Sequence, residues 1–160
     1  AAVAGIPVVR TMLRRTAALP GVRDIDLRDG PALLLEFLAG HSGPLLLLGD
    51  DAAALAEHPA AELLTRFLGV AGDGQYLVLG CRLEVAVRSH RGPIAEAAAF
   101  RTGVLLGADA VDAAVLGAVL PRRRTPARPG NGHLVLAGDS CPVQLADSHL
   151  GVQGNILEPC

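Results

Sequence analysis

The strongest constraint on the fold is a run of four leucines at residues 45–48, bounded by Gly43-Pro44 on one side and Gly49-Asp50-Asp51 on the other. A continuous apolar run between turn residues is typical of a strand buried on both faces of a parallel sheet. Residues 76–79 (YLVL) repeat the pattern further along the chain. The sequence therefore predicts an α/β fold with a mainly parallel sheet sandwiched by helices, and residues 45–48 as an interior strand.

Strand and helix signals alternate along the rest of the chain. Further strands are expected at residues 2–9, 22–27 and 103–106, with residues 22–27 near an edge because apolar and polar side chains alternate there. Helices are expected at residues 10–19, 31–39, 52–68, 95–100 and 111–116, with a second helix starting at Pro59 inside the longest segment. Residues 121–132 form an Arg/Pro/Gly-rich loop, after which residues 133–136 and 143–145 are expected to form a closing β-hairpin.

Length, charge and cysteine content narrow the class of protein. A chain of 160 residues corresponds to one domain, two at most, and its net charge of −2 gives no general reason to bind nucleic acid. No apolar run approaches the roughly 20 residues of a membrane-spanning helix, and we expect no signal segment at the start. The three cysteines show no metal-ligand spacing, which favours a reduced, intracellular protein.

Lysine is missing from the whole chain, because all fourteen basic residues are arginine. Schiff-base lysines and Ser–Lys catalysis are therefore excluded. A complete phosphate-binding P-loop is also excluded, since its lysine reaches the β- and γ-phosphates.

An acidic pair, Asp50 and Asp51, follows the leucine run directly. Ligands of α/β folds bind at the carboxyl ends of the strands, and carboxylates there hold Mg²⁺ and orient the attacking water in nucleotide hydrolysis. The alternative is that Asp51 caps a helix beginning at Ala52. Both interpretations stay open on the sequence alone.

Several stretches, taken in order, resemble the FtsK/SpoIIIE family of P-loop motor ATPases, and more narrowly the last ATPase domain of the EccC-type motors of type VII secretion. Residues 45–51 resemble the Walker B strand of that family, and residues 76–82 resemble its next strand, which ends in Arg82. Residues 100–106, which include Arg101, resemble an Arg-x-Gly-Leu-Leu-Leu strand, and residues 129–135 resemble the Pro-Gly-Arg-Gly loop before the final hairpin. The resemblance covers residues 1–146 and leaves residues 147–160 as a tail.

This resemblance implies an incomplete RecA-like P-loop NTPase core with Asp51 as catalytic base and Asp50 on the metal side. It implies nucleotide contacts for Arg82 and Arg101, for which structural salt bridges are an equal alternative. ATP and Mg²⁺ are the cofactors of the full family assembly, and none is expected for this chain alone, because the segment GxxxxGK[ST] is absent. Asn131 also stands where the family commonly has Arg.

The partners implied are other ATPase domains or subunits of a ring motor, or a secretion-signal peptide or other protein, in the cytoplasm or at the cytoplasmic face of a membrane. Direct binding of nucleic acid by this chain is not expected. Two functions remain open: part of an ATP-driven translocation motor for DNA or secreted protein, or a degenerate docking and regulatory module.

One further motif has a competing interpretation. Gly138-Asp139-Ser140 also surrounds the nucleophile of trypsin-like proteases, but Cys141-Pro142 follow it here, and the strand–helix alternation contradicts a protease built from β-barrels. A hairpin turn is the favoured interpretation, and a Ser140–His149 pair has no further support.

Overall fold

The structure is a computed structural model that describes residues 5–14, 16–120 and 129–145. Its first part is a four-stranded parallel sheet in the order β2-β1-β3-β4, connected by helices. The strands are β1 (Val8–Met12), β2 (Val22–Asp26), β3 (Leu45–Gly49) and β4 (Gln75–Leu79). The helices are α1 (Ala32–Ala39), α2 (Ala52–Ala56), α3 (Ala61–Val70), α4 (Leu83–Arg88) and α5 (Pro93–Ala99). The predicted α/β class with a parallel sheet is confirmed.

The leucine run forms the interior strand β3, as predicted. It pairs with β1 on one side and β4 on the other, so that Leu46 lies beside Val8 and Tyr76. Leu45 and Leu47 point into the main core, where they meet Leu64 of α3 among other buried side chains. Leu46 and Leu48, on the opposite face, are half-buried.

The first strand lies later than the sequence predicts. The prediction of a strand at residues 2–9 is wrong for residues 5–7, and residues 1–4 lie outside the described part; the strand itself continues to Met12. The helix expected at residues 10–19 is also wrong, since residues 10–12 complete β1 and residues 16–19 are irregular. Arg10 is tolerated in a buried strand because Asp24 on β2 pairs with its guanidinium at 2.9 Å.

Most other elements agree with the prediction, with shifted ends. Strand β2 is an edge strand, as its alternating pattern indicates. The segment 52–68 forms two helices, although the second begins at Ala61 rather than at Pro59. Helix α5 begins at Pro93, where proline occupies a first-turn position that needs no N–H donor. The short helix α4 has no counterpart in the prediction, since its valines lower the helical propensity of the segment.

The second part is an antiparallel sheet in the order β5-β6-β7, made by β5 (Gly103–Leu106), β6 (Asn131–Leu136) and β7 (Asp139–Gln144). The closing hairpin is confirmed with longer strands than expected. Its turn residues, Ala137 and Gly138, both have positive φ angles, which is the conformation of a type I′ turn. Gly138-Asp139-Ser140 is therefore the end of a hairpin turn and the start of β7.

The segment expected to form a helix at residues 111–116 is a 3₁₀ helix (Asp112–Leu116) that covers the second sheet. Its Leu116 belongs to a second core with Leu105 and Val135. Residues 121–128 of the predicted loop and the tail 147–160 lie outside the described residues. Helix α5 contacts α2, α3 and β4 on one side and the 3₁₀ helix on the other, so it joins the two parts.

Candidate functional site

A cavity of about 210 Å³ lies at the carboxyl ends of β1 and β3. Its lining combines the acidic pair with residues that follow β1, namely Met12, Leu13, Arg14, Thr16, Asp50 and Asp51. The two strands are parallel neighbours, so their carboxyl ends open at the same edge of the sheet. The structure thus brings Asp50 and Asp51 to the edge where the sequence predicts them.

The carboxylate of Asp51 has partners within the protein on both of its oxygens. It adopts the left-handed conformation with φ of 57°, caps α2, and accepts a hydrogen bond from the Ala54 N–H at 3.4 Å. Its other carboxylate oxygen lies 3.6 Å from a guanidinium nitrogen of Arg14. The helix-capping interpretation of Asp51 is therefore confirmed by the geometry, and the residue still faces the cavity.

Asp50 is exposed at the mouth of the cavity. Its backbone N–H donates to the Thr11 carbonyl at 3.5 Å, which ties the end of β3 to β1. Within the described ranges no hydrogen bond to its carboxylate is found, so Asp50 is the more available of the two acids.

An ion pair lies behind the cavity on β1 and β2. The Arg10 guanidinium donates to both carboxylate oxygens of Asp24, at 2.9 and 3.0 Å, and to the Ala17 carbonyl at 2.9 Å. These hydrogen bonds hold the pKa of Asp24 below its ordinary value. Because Ala17 belongs to the connection after β1, Arg10 also anchors the segment that forms one wall of the cavity.

Each of the two arginines predicted to contact a nucleotide has a protein partner in the structure. Arg82 lies just after β4, at the same edge of the sheet, with its guanidinium 3.8 Å from Glu84. Arg101 donates to the Gly117 carbonyl at 3.0 Å and packs so closely against Gly138 that a Cβ there would lie 2.0 Å from its guanidinium. Neither residue is among those that line the cavity in the described part of the chain.

Arg14 and Thr16 are site residues that the sequence analysis missed. The helix predicted at residues 10–19 would scatter these side chains around its axis. The sequence could have indicated them if β1 had been predicted to end at Met12. The residues after such a strand lie at the carboxyl edge of the sheet, beside the acids that follow β3.

The lining residues fit a magnesium nucleotide only in part. Carboxylates of the type that bind Mg²⁺ are present, but the chain has no lysine for the phosphates, and Arg14, the cation in the lining, faces Asp51. Within the described ranges no three His, Cys, Asp or Glu side chains are grouped as metal ligands. Among the described residues, the lining therefore offers no lysine to hold the phosphates of a nucleotide.

A comparison with solved structures finds the same arrangement of elements in another protein. That protein is the cytoplasmic domain of EssC. The TM-score is 0.68 at 13% sequence identity, and the match covers 88% of this chain and 33% of the EssC chain. The chain thus spans about a third of the length of the protein that it matches, and at this identity the likeness shows a shared fold.

The sequence itself gives no match of this kind. No family model matches it, and no curated protein matches it. The longest helix in the described ranges has ten residues, so none of the described helices could span a bilayer.

Proposed function

We propose that residues 1–146 form an FtsK/SpoIIIE-like, ATPase-type domain of a translocation motor of the type VII secretion kind, and that this chain does not hydrolyse ATP by itself. The observation that carries the proposal is the placement of Asp50 and Asp51 beside a cavity at the carboxyl end of the interior strand β3. This is the position at which motor ATPases hold their metal and water-orienting carboxylates. The fold shared with the cytoplasmic domain of EssC supports the motor context.

The residues that line the cavity support the proposal that this chain does not hydrolyse ATP by itself. Hydrolysis needs donors that hold the β- and γ-phosphates while a carboxylate orients water. This chain has no lysine, and Asp51 is occupied by the helix cap and by Arg14. The domain then contributes to the motor through its contacts with other ATPase domains or subunits in the cytoplasm, which complete the site for ATP and Mg²⁺ in the assembly.

Calorimetric titration of the chain with Mg-ATP tests this proposal directly. We expect a dissociation constant no tighter than about 1 mM, because a phosphate cradle normally supplies most of the contacts to the nucleotide. A micromolar dissociation constant that is lost in Asp50→Asn would contradict it and would show a working nucleotide site.

The second candidate is a docking and regulatory module without any role in the ATPase cycle. The exposed apolar residues Tyr76 and Val78 on β4 favour it, since such side chains are typical of contact surfaces. The two functions differ in the assembled motor. Replacing both Asp50 and Asp51 by Asn leaves its ATPase rate within tenfold of wild type if the site is vestigial, whereas a larger loss at unchanged melting temperature would show that the acids take part in turnover.

A further inference from the structure

The candidate site carries a positive charge of its own beside the acidic pair. A guanidinium nitrogen of Arg14 lies 3.6 Å from one carboxylate oxygen of Asp51, and both side chains line the cavity. The other carboxylate oxygen of Asp51 accepts the Ala54 N–H at 3.4 Å. Each oxygen that Asp51 could offer to a metal ion therefore already has a partner in this chain.

Two tethers hold the segment that carries Arg14. The Thr16 hydroxyl donates to the Met12 sulfur at 3.2 Å, and the Arg10 guanidinium donates to the Ala17 carbonyl at 2.9 Å. Both contacts turn the residues after β1 back towards the strand. The side chain of Arg14 is 79% exposed, so its ion pair alone would hold it only weakly. Its place beside the acids follows instead from these backbone tethers on either side of it.

A second arginine acts on the other acid. The pKa of Arg10 is raised above its ordinary value, mainly by its hydrogen bonds to Asp24, and the negative charge of Asp50 adds to the rise. Each acid of the pair is thus within the field of one arginine, Asp50 of Arg10 and Asp51 of Arg14. Such positive charges oppose the approach of another cation, and a divalent ion is repelled twice as strongly as a monovalent one.

We propose that, in the chain by itself, the Arg14 guanidinium takes the place of a divalent cation at Asp51, and that subunits which complete the site must move Arg14 away. The inference rests on the proposed function, in which the assembly completes this site. Carboxylates at this position are ligands of the type that Mg²⁺ uses, whereas an arginine keeps its charge at all physiological pH values. Arg14 therefore acts as an internal contact that keeps the acidic pair from binding a metal ion.

Titration of the chain with Mn²⁺ in the absence of nucleotide tests this, with the free ion followed by its electron paramagnetic resonance signal. We expect a dissociation constant weaker than about 1 mM for wild type and one at least about fivefold tighter for Arg14→Gln, because a unit charge close to the ion is removed. Arg14→Lys keeps the charge and should bind Mn²⁺ as weakly as wild type. Arg66→Gln is the matched control, since it removes an equal charge from an exposed ion pair with Glu62, outside the cavity lining.

Nuclear magnetic resonance locates the ion, because Mn²⁺ broadens the signals of nearby nuclei. In Arg14→Gln the amide signals of Ala52 and Ala54 should broaden, and adding Asp51→Asn should abolish both this broadening and the gain in affinity. Equal Mn²⁺ affinities of wild type and Arg14→Gln, including no measurable binding to either, overturn the proposal. A gain of the same size in Arg66→Gln, or binding that leaves Ala52 and Ala54 unchanged, also overturns it. The proposed function is tested separately by the Mg-ATP titration, so the two can fail independently.

Discussion

Asp51 shows at the scale of one residue how a structural and a chemical role compete. Its left-handed backbone conformation is rare for residues other than glycine, but aspartate and asparagine adopt it more readily than most. The same residue caps α2 and contacts Arg14. A sequence shows that an acid follows the strand. It does not show which hydrogen bonds already occupy the carboxylate, so the sequence alone does not decide between the two interpretations of Asp51.

Substitution of Asp51 separates these roles. Asp51→Ala should lower the free energy of unfolding by about 0.5–2 kcal/mol, because the cap to Ala54 is lost. Asp51→Asn keeps a capping oxygen and a residue type that tolerates a positive φ, so it should cost little. Urea denaturation of both variants checks this, and an equal loss in the two would show that the charge facing Arg14, rather than the cap, stabilises this corner.

The ion pair of Arg10 and Asp24 predicts how stability depends on pH. Asp24 has a pKa lowered in the folded state by its hydrogen bonds to Arg10, so its contribution is present above the ordinary pKa of about 3.8 and is lost as the pH falls through the lower folded value. Asp24→Asn should cost about 1–3 kcal/mol at pH 7, and the difference from wild type should shrink on acidification below pH 4. Chemical denaturation at a series of pH values measures it. If the difference in free energy of unfolding between wild type and Asp24→Asn does not shrink below pH 4, the charge of Asp24 is not what stabilises the fold.

At the scale of secondary-structure elements, strand pairing overrode local preference at residues 10–12. Residues 10–12 contain arginine and methionine, which suit a helix, yet β1 extends through them because it has parallel partners on both sides. The β3 prediction succeeded because a continuous apolar run between turn residues is typical of an interior strand. Leu45 and Leu47 enter the main core, and the other two leucines of the run are half-buried. The cavity wall after β1 depends on where β1 ends. Because strand pairing sets that end, the wall could not be derived from the sequence.

The end of β3 leaves little room for a side chain at Gly49. A Cβ there would lie 2.5 Å from a methyl carbon of Leu79 and 3.0 Å from one of Leu55. Gly49→Ala should therefore lower the free energy of unfolding by about 1–3 kcal/mol through overpacking. Gly80→Ala is the control on the neighbouring strand, because its Cβ would have no heavy atom nearer than 3.9 Å. Thermal denaturation compares the two, and equal melting temperatures would show that Leu79 moves aside without cost.

At the scale of the whole molecule, the protein has two hydrophobic cores, one on each sheet. The alternation of strands and helices predicts the parallel sheet, but β5 belongs to the antiparallel sheet with the hairpin. Periodicity could not show this, because a short apolar strand looks the same in either sheet and its partners are chosen by tertiary packing. Helix α5 contacts elements of both parts, and its Ile94 is only 4% exposed.

Truncating Ile94 tests whether α5 couples the two sheets. Ile94→Ala should lower the overall free energy of unfolding by about 2–5 kcal/mol, as for other buried aliphatic truncations, while Ile94→Val should cost about 0.5–1.5 kcal/mol. Tyr76, the single tyrosine in a chain without tryptophan, reports on the parallel sheet by fluorescence, and amide exchange of β6 reports on the other. In wild type the two probes should follow one urea transition. In Ile94→Ala they should separate, because Ile94 is a buried side chain of a helix that contacts both parts, and it lies outside both buried clusters. If Ile94→Ala shows the expected loss of stability but the two probes still follow one transition, the sheets are coupled through contacts outside α5.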